Sequence, residues 1–171
     1  MWWWRQFKAI AMFPGVMAVL IPAMLLVTVG RGDGLSLAPG ARAVAITAGA
    51  LLTAFGLALF CWTVVLFAKR GKGTLSPLDA PKRLVVTGPY RHVRNPMYTA
   101  VFSVQLGEAV MLWSWTLLLW FGCFAAFVMT FVPLREERWL ATQFGADYAE
   151  YRAHVPRWLP RPTPWYPGNR V

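Results

Sequence analysis

The sequence predicts an all-α polytopic membrane protein with four transmembrane helices, the last two as a hairpin, and a cytoplasmic C-terminal amphipathic helix. Three observations predict this fold class. Hydrophobic residues make up 57% of the 171 residues and charged residues only 14%, whereas soluble domains carry about 25% charged residues. Long uncharged runs recur along the chain, and basic residues cluster between them. The length suggests one domain over residues 1–171.

Two uncharged runs in the first half of the chain are long enough to cross a bilayer. Ala9–Gly30 and Ala43–Ala68 contain 22 and 26 residues without a charge, and a transmembrane helix needs about 20. We therefore expect a span in each. Arg5 and Lys8 precede the first run, but no clean small-residue cleavage pattern follows it. We interpret it as an uncleaved helix rather than a secretion signal.

A third apolar stretch, Pro96–Leu134, is too long for one span. It has 39 residues with Glu108 as its one charge, and a helix of that length would extend about 58 Å. We expect two spans, at about 96–113 and 115–134, with a tight turn near Leu112–Thr116. Glu108 would lie within a span, where an acid is either functional or bonded across the hairpin.

The distribution of basic residues predicts the orientation. With four spans, 15 of the 17 Lys and Arg residues fall on one side of the membrane, and the other two, Arg31 and Arg42, on the opposite side. The positive-inside rule places the basic side, with both termini, in the cytoplasm. An odd number of spans would divide the basic residues between the two sides. We expect an integral protein of a bacterial inner membrane.

The last part of the chain predicts an amphipathic helix followed by an extended tail. Aromatic and apolar residues recur every three or four positions from Glu136 to Val155, with Gly145 as a weak point, and Pro156 ends the pattern. Five prolines fall in the final 16 residues. The tail, 161–171, is therefore expected to be extended, with its aromatic side chains at the membrane surface.

Several functional classes are excluded by composition. The net charge of +10 is explained by Lys and Arg next to anionic lipid headgroups, so no nucleic-acid partner is expected. The two histidines, His92 and His154, have no second histidine at ligand spacing, and a zinc site is not expected. The two cysteines form no CxxC pair. Metal is therefore absent from the predicted site.

Two polar clusters flank the predicted hairpin on its cytoplasmic side. One is RLVVTGPYRHVRNPMY, Arg83–Tyr98, and the other is REERWL, Arg135–Leu140. Because a helical hairpin brings its two ends together, the clusters must lie close in space. A site between them would contact cytosol on one side and lipid on the other.

These two clusters resemble the isoprenylcysteine carboxyl methyltransferases and their relatives, the phospholipid N-methyltransferases. The similarity extends over about residues 82–160. It implies S-adenosylmethionine bound between the cytoplasmic segments 69–95 and 135–160, and methyl transfer to a lipid-like acceptor. The implied cofactor-binding residues are Lys82, Arg83, Leu84, Val85, Tyr90, Asn95, Pro96, Met97, Tyr98, Glu136 and Glu137.

The resemblance also implies roles for three polar residues. Arg94 and Asn95 stand at the catalytic positions of the motif, and Arg135 is the nearest candidate for a substrate-binding arginine. Asn95 replaces the usual His, so proton transfer by that side chain is lost while hydrogen bonding is retained. Ala100 stands where a Gly often follows the Tyr.

Three functions stay open at this point. The first is methyl transfer to a lipid-like acceptor. The acceptor could be an isoprenylcysteine-type carboxylate, which arrives ionised, or a phospholipid amine, which must lose a proton. The second function is an NADPH-dependent lipid or sterol reductase, because the sterol reductases look like distant relatives with a similar hairpin and Arg-rich motif. The third is a non-catalytic membrane protein.

Overall fold

The computed structural model describes residues 11–29, 37–70 and 83–168. Within these ranges the chain is mainly helical and has no strand, which confirms the predicted all-α class. Lys82 lies outside them, as do Arg5, Lys8, Arg31, Lys72 and Arg170, on which the orientation prediction partly depends. The elements are a π-helical segment Ala11–Leu20, α1 Ile21–Thr28, α2 Pro39–Arg70, a 3-10 helix Gly88–Arg91, α3 Pro96–Leu112, α4 Trp115–Phe131, a π-helical turn Val132–Glu136 and α5 Glu137–His154.

Two helices are long and apolar enough to cross a membrane. They are α2 and the continuous helix Trp115–His154, which joins α4, the π-helical turn and α5. Gly15–Thr28 forms a shorter apolar helix. The count of four transmembrane helices and the cytoplasmic placement of both termini stay predictions.

Pro22 leaves a backbone carbonyl of the first helical segment free to bond to α3 and α4. Met17 precedes Pro22 by five residues, the spacing of a π-helical hydrogen bond, and proline has no N–H to donate. The Met17 carbonyl instead accepts hydrogen bonds from Gln105 Nε2 at 2.9 Å and Trp120 Nε1 at 3.1 Å. The Gln105 Nε2 and Trp120 Nε1 donors inside the apolar stretches thereby have a partner, while Gln105 Oε1 has none among the described residues.

Helices α2 and α3 pack closely because glycines line their contact. A β-carbon on Gly56 of α2 would lie 2.8 Å from the Ala100 carbonyl oxygen of α3. Gly49 and Gly107 likewise face the backbone of the opposite helix. Small residues at such positions let helix backbones approach in membrane proteins.

The hairpin turn lies within the predicted 112–116 stretch. Helix α3 ends at Leu112, Trp113 adopts a left-handed conformation with φ 50°, and Ser114 caps α4 by accepting from the Leu117 N–H at 3.3 Å. Residues of both helices, including Val104 and Val128, share one apolar core.

The predicted amphipathic helix is present as α5, but it is continuous with α4. Gly145 interrupts it with φ 51° and ψ −122°, a conformation that glycine adopts most easily, so the predicted weak point is a kink. Beyond the kink, Tyr148, Tyr151 and Val155 are buried against apolar side chains that include Leu84 and Val86. The apolar face of α5 therefore covers the segment before α3.

The proline-rich tail is not helical, in line with the expectation, and the contact of its aromatic side chains with the membrane surface stays a prediction. The tail returns along the segment before α3, where Arg161 N–H donates to the His92 carbonyl at 2.9 Å and Trp165 N–H to the Arg91 carbonyl at 3.1 Å. The Trp165 ring packs on Tyr151 at 5.9 Å between centroids. Proline prevents the tail from continuing the helix, and these backbone bonds hold it in place.

Candidate functional site

The two polar clusters meet at a hydrogen bond between Tyr98 and Glu136. The Tyr98 hydroxyl, on the first turn of α3, donates to Glu136 Oε2 at 2.9 Å. Glu136 is half-buried at the end of the π-helical turn. Glu137 forms ion pairs with Arg94 and Arg157, whereas Glu136 forms none with a described residue. A partly buried carboxylate without an ion-pair partner can bind a cation, because pairing offsets the cost of burying its charge.

Tyr90 lies beside this carboxylate. Its side chain is buried, and burial raises the pKa of the Tyr90 hydroxyl, which the negative charge of Glu136 raises further. The phenol therefore stays protonated at physiological pH. Its backbone carbonyl accepts from the Tyr151 hydroxyl at 2.7 Å, which fixes the 3-10 helix to α5.

Glu137 has a different environment from its neighbour. It is 4% exposed and accepts two hydrogen bonds from Arg157, at 2.7 and 2.8 Å, in a bidentate pair. Arg94 adds a second ion pair at 3.0 Å. The hydrogen bond to Glu137 raises the pKa of Arg157, so this guanidinium stays charged. The sequence predicts both acids at the cofactor. In the structure, the Glu137 carboxylate is already paired with two arginines of the protein, Arg94 and Arg157.

The side chains of the two residues expected to be catalytic, Arg94 and Asn95, both bind other residues of the protein. Arg94 pairs with Glu137 and donates to the Tyr148 hydroxyl at 3.3 Å. Asn95 is buried and donates from Nδ2 to the Arg157 carbonyl at 3.3 Å. These bonds join the start of α3 to the chain beyond α5.

The other expected site residues differ in how deeply they are buried. Leu84 packs against the tyrosine cluster of α5, while Val85 and Pro96 are buried and Met97 is half-buried. Arg83 and Arg135 are exposed. The structure thus brings Tyr90, Tyr98 and Glu136 together, while Lys82 lies outside the described residues.

A groove on the other side of the same segment was not predicted. Its volume is about 480 Å³. Helix α2 and the tail form its walls, and the residues before and at the start of α3 form its floor. The lining includes Phe55, Leu59 and Trp62 of α2, Arg91, His92 and Thr99 of the floor, and Pro160, Pro164 and Tyr166 of the tail. The sequence carried no signal for it, because its walls lie about 100 residues apart in the chain.

Gly88 brings the floor of the groove close to α2. It adopts φ 57°, and a β-carbon there would lie 2.7 Å from the Leu66 side chain. Only glycine fits this position without strain, since it combines the left-handed conformation with the close approach.

No metal centre is found in the part of the chain that the structure describes. That part contains no group of three His, Cys, Asp or Glu side chains that could hold an ion. Two buried polar atoms of the segment before α3, Thr87 Oγ1 and Arg94 Nε, have no hydrogen-bond partner among the described residues.

Comparison with known protein families identifies a match for the central part of the chain. The family model described as phospholipid methyltransferase matches residues 44–147. The matched region contains α2, the hairpin, Tyr98, Glu136 and the first half of α5. No curated protein and no solved structure gives a significant match.

Proposed function

Because the chain belongs to the phospholipid methyltransferase family of membrane methyltransferases, we propose that it transfers a methyl group from S-adenosylmethionine to a lipid-like acceptor. The reaction takes place at the cytoplasmic face of a bacterial inner membrane. Family membership supports methyl transfer to a lipid. The methyl donor and the residues that bind it are parts of the proposal.

The observation that carries the proposal is the Glu136 carboxylate, which is bonded to Tyr98 without an ion pair among the described residues. Adenosylmethionine supplies an activated methyl group on a sulfonium, and it also carries an ammonium group. Glu136 binds this ammonium in the proposal. A hydrogen bond to a charged group contributes about 1.5–3 kcal/mol.

The aromatic side chains beside Glu136 suit the same ligand. Tyr90 and Tyr98 are uncharged phenols whose ring faces attract cations. Thr87 Oγ1 and Arg94 Nε provide further polar atoms that lack partners within the described residues. The residues present therefore fit a cationic ligand that also has hydroxyl and carboxylate groups.

Arg94, Asn95 and Glu137 position the site in this account rather than contact the reacting atoms. Their side chains are used to hold the start of α3 against Arg157. Correct placement matters for this chemistry because a methyl group is transferred in line between two aligned groups, and alignment alone can supply about 7–11 kcal/mol. Leu84, Val85, Pro96 and Met97 form apolar surroundings.

Arg135 is proposed to contact lipid rather than cofactor. It is exposed and directly precedes Glu136. An exposed arginine at a cytoplasmic membrane surface is attracted to anionic headgroups, by about 1 kcal/mol per basic residue. Its role would be to hold the acceptor side of the site at the membrane.

Label transfer tests the proposed function. The solubilised protein is incubated with methyl-labelled adenosylmethionine and either phosphatidylethanolamine vesicles or a farnesylcysteine derivative, and label in the lipid fraction is measured. We expect label in one lipid and much less with Glu136→Gln. No label in either lipid would contradict methyl transfer, and lipid-dependent NADPH oxidation would favour the reductase function instead.

A further inference from the structure

The groove between α2 and the tail combines an apolar wall with two polar side chains on its floor. Phe55, Leu59 and Trp62 provide the apolar wall on a helix that is long enough to cross a membrane. Arg91 and His92 line the floor. An amphiphile with a polar end and a greasy chain matches this arrangement.

Arg91 gives the groove a positive charge. Its guanidinium lies 4.2 Å from the centroid of the Tyr166 ring, and its Nε donates to the Val86 carbonyl at 3.3 Å. In the ranges that the structure describes, the ion pairs to glutamate use Arg94 and Arg157, not Arg91. Arginine binds phosphate and carboxylate groups through several N–H groups at once, so the anionic end of a lipid, such as a phosphate, suits this position.

The tail fixes the state of the His92 ring. Nδ1 lies 2.8 Å from the Arg161 carbonyl oxygen. A carbonyl can only accept, so Nδ1 carries the proton. In the neutral ring Nε2 then has the lone pair. The His92 side chain lines the groove, and Nε2 is the ring nitrogen that the bond to the Arg161 carbonyl leaves unused.

We propose that His92 is the general base that removes a proton from the ammonium of a phospholipid acceptor, whose phosphate is bound by Arg91. This inference rests on the proposed function. An ammonium has no lone pair and cannot attack a methyl group. Transfer of its proton to His92 Nε2 frees the nitrogen lone pair, which forms the new N–C bond while the C–S bond breaks with its electron pair going to sulfur. His92 then releases its proton to solvent.

The groove and the Glu136 side of the site are adjacent. Tyr90 and Tyr98 lie on the Glu136 side, while the next residues in the chain, Arg91 and Thr99, line the groove. The ammonium and the sulfonium of adenosylmethionine are separated by a short carbon chain. If the ammonium of adenosylmethionine were bound at Glu136, its sulfonium would lie a short carbon chain away from that carboxylate.

His92→Asn separates the proposed role from a purely structural one. The Asn amide can donate to the Arg161 carbonyl as Nδ1 does, but it has no basic nitrogen. With phosphatidylethanolamine vesicles, we expect turnover to fall about 100- to 10,000-fold, the usual contribution of a general base. The KM for lipid, adenosylmethionine affinity by calorimetry and lipid retention by native mass spectrometry should stay at wild-type values. Wild-type turnover in this variant would overturn the proposal.

His154→Asn is the matched control. His154 also has Nδ1 at 2.8 Å from a backbone carbonyl, that of Glu150, but it does not line the groove. We expect wild-type turnover. If His92→Asn fails to fold, as shown by loss of adenosylmethionine binding, His92→Gln keeps an amide at the same position and receives the same measurements. Equal losses in the His92 and His154 variants would overturn the assignment.

Two further experiments test this inference separately from the proposed function: an Arg91 variant and a comparison of two methyl acceptors. Arg91→Gln should raise the KM for phosphatidylethanolamine and reduce its retention in native mass spectra, leaving adenosylmethionine binding unchanged. A farnesylcysteine carboxylate needs no base. If the wild type methylates that carboxylate but not phosphatidylethanolamine, the His92 proposal is overturned while methyl transfer stands. Absence of both activities overturns both.

Discussion

The Tyr98 hydroxyl donates to Glu136 across 2.9 Å and joins the first turn of α3 to the end of the π-helical turn. The two residues are separated by the whole α3–α4 hairpin in the chain. Glu137, the next residue, instead accepts from Arg157 and pairs with Arg94. Two adjacent acids thus have different partners: Glu137 joins two arginines of the fold, and Glu136, bonded to Tyr98, is the acid proposed to bind a ligand.

The role of Glu137 predicts a large loss of stability in Glu137→Gln. The substitution leaves Arg94, which is 9% exposed, without its carboxylate partner. Breaking one partner of a buried ion pair costs about 3–5 kcal/mol. Thermal unfolding in detergent should show a clear decrease in melting temperature. The control is Arg138→Gln, which removes a charge from an exposed neighbour, and an equal decrease in both variants would contradict the assignment.

Close packing of α2 on α3 predicts that Gly56→Ala destabilises the protein. Its β-carbon would lie 2.8 Å from a backbone oxygen, which cannot rotate away as a side chain can. Overpacking of this kind costs about 1–3 kcal/mol. Gly122→Ala on α4 is the matched control, since no described atom lies within 4 Å of its new β-carbon. Heating followed by size-exclusion chromatography compares them, and equal survival would refute the close contact.

Truncation after Pro160 tests whether the tail supports the site. From the sequence, the tail beyond the resembling region is expected to matter little. The structure shows Arg161 and Trp165 bonded to the His92 and Arg91 carbonyls, and each such hydrogen bond contributes about 0.5–1.5 kcal/mol. We expect a lower melting temperature and weaker lipid binding, whereas truncation after Gly168 keeps these bonds. Equal behaviour of the two truncations would show that the tail is dispensable.

The orientation prediction is tested by reporter fusions at residues 1 and 171. The excess of basic residues on one side of four spans predicts cytoplasmic signals from both. A periplasmic signal from one terminus alone would exclude an even number of spans. A periplasmic signal from both would keep the count and reverse the orientation.

Much of the helical framework could be predicted from the sequence because apolar runs and charges determine it locally. The hairpin turn at Trp113 and Ser114 and the kink at Gly145 both fall where local residue preferences indicated them. The meeting of Tyr98 with Glu136 followed from topology, since a hairpin brings its ends together.

Other features could not be predicted because they depend on contacts between distant segments. Nothing in the EE dipeptide indicates which acid pairs with Arg157, a residue 20 positions away from Glu137. The return of the tail onto His92 spans 69 positions. The groove also depends on distant segments, since Trp62 and Tyr166 line it together only in the folded chain.

Calorimetric titration of the solubilised protein with S-adenosylmethionine tests the central claim, that Glu136 is the cation site of a methyltransferase. The wild type should bind, and Glu136→Gln should bind about 1–3 kcal/mol more weakly, or about 5- to 150-fold, with its melting temperature retained. Wild-type affinity in Glu136→Gln, or no binding by a folded wild type, would contradict the claim.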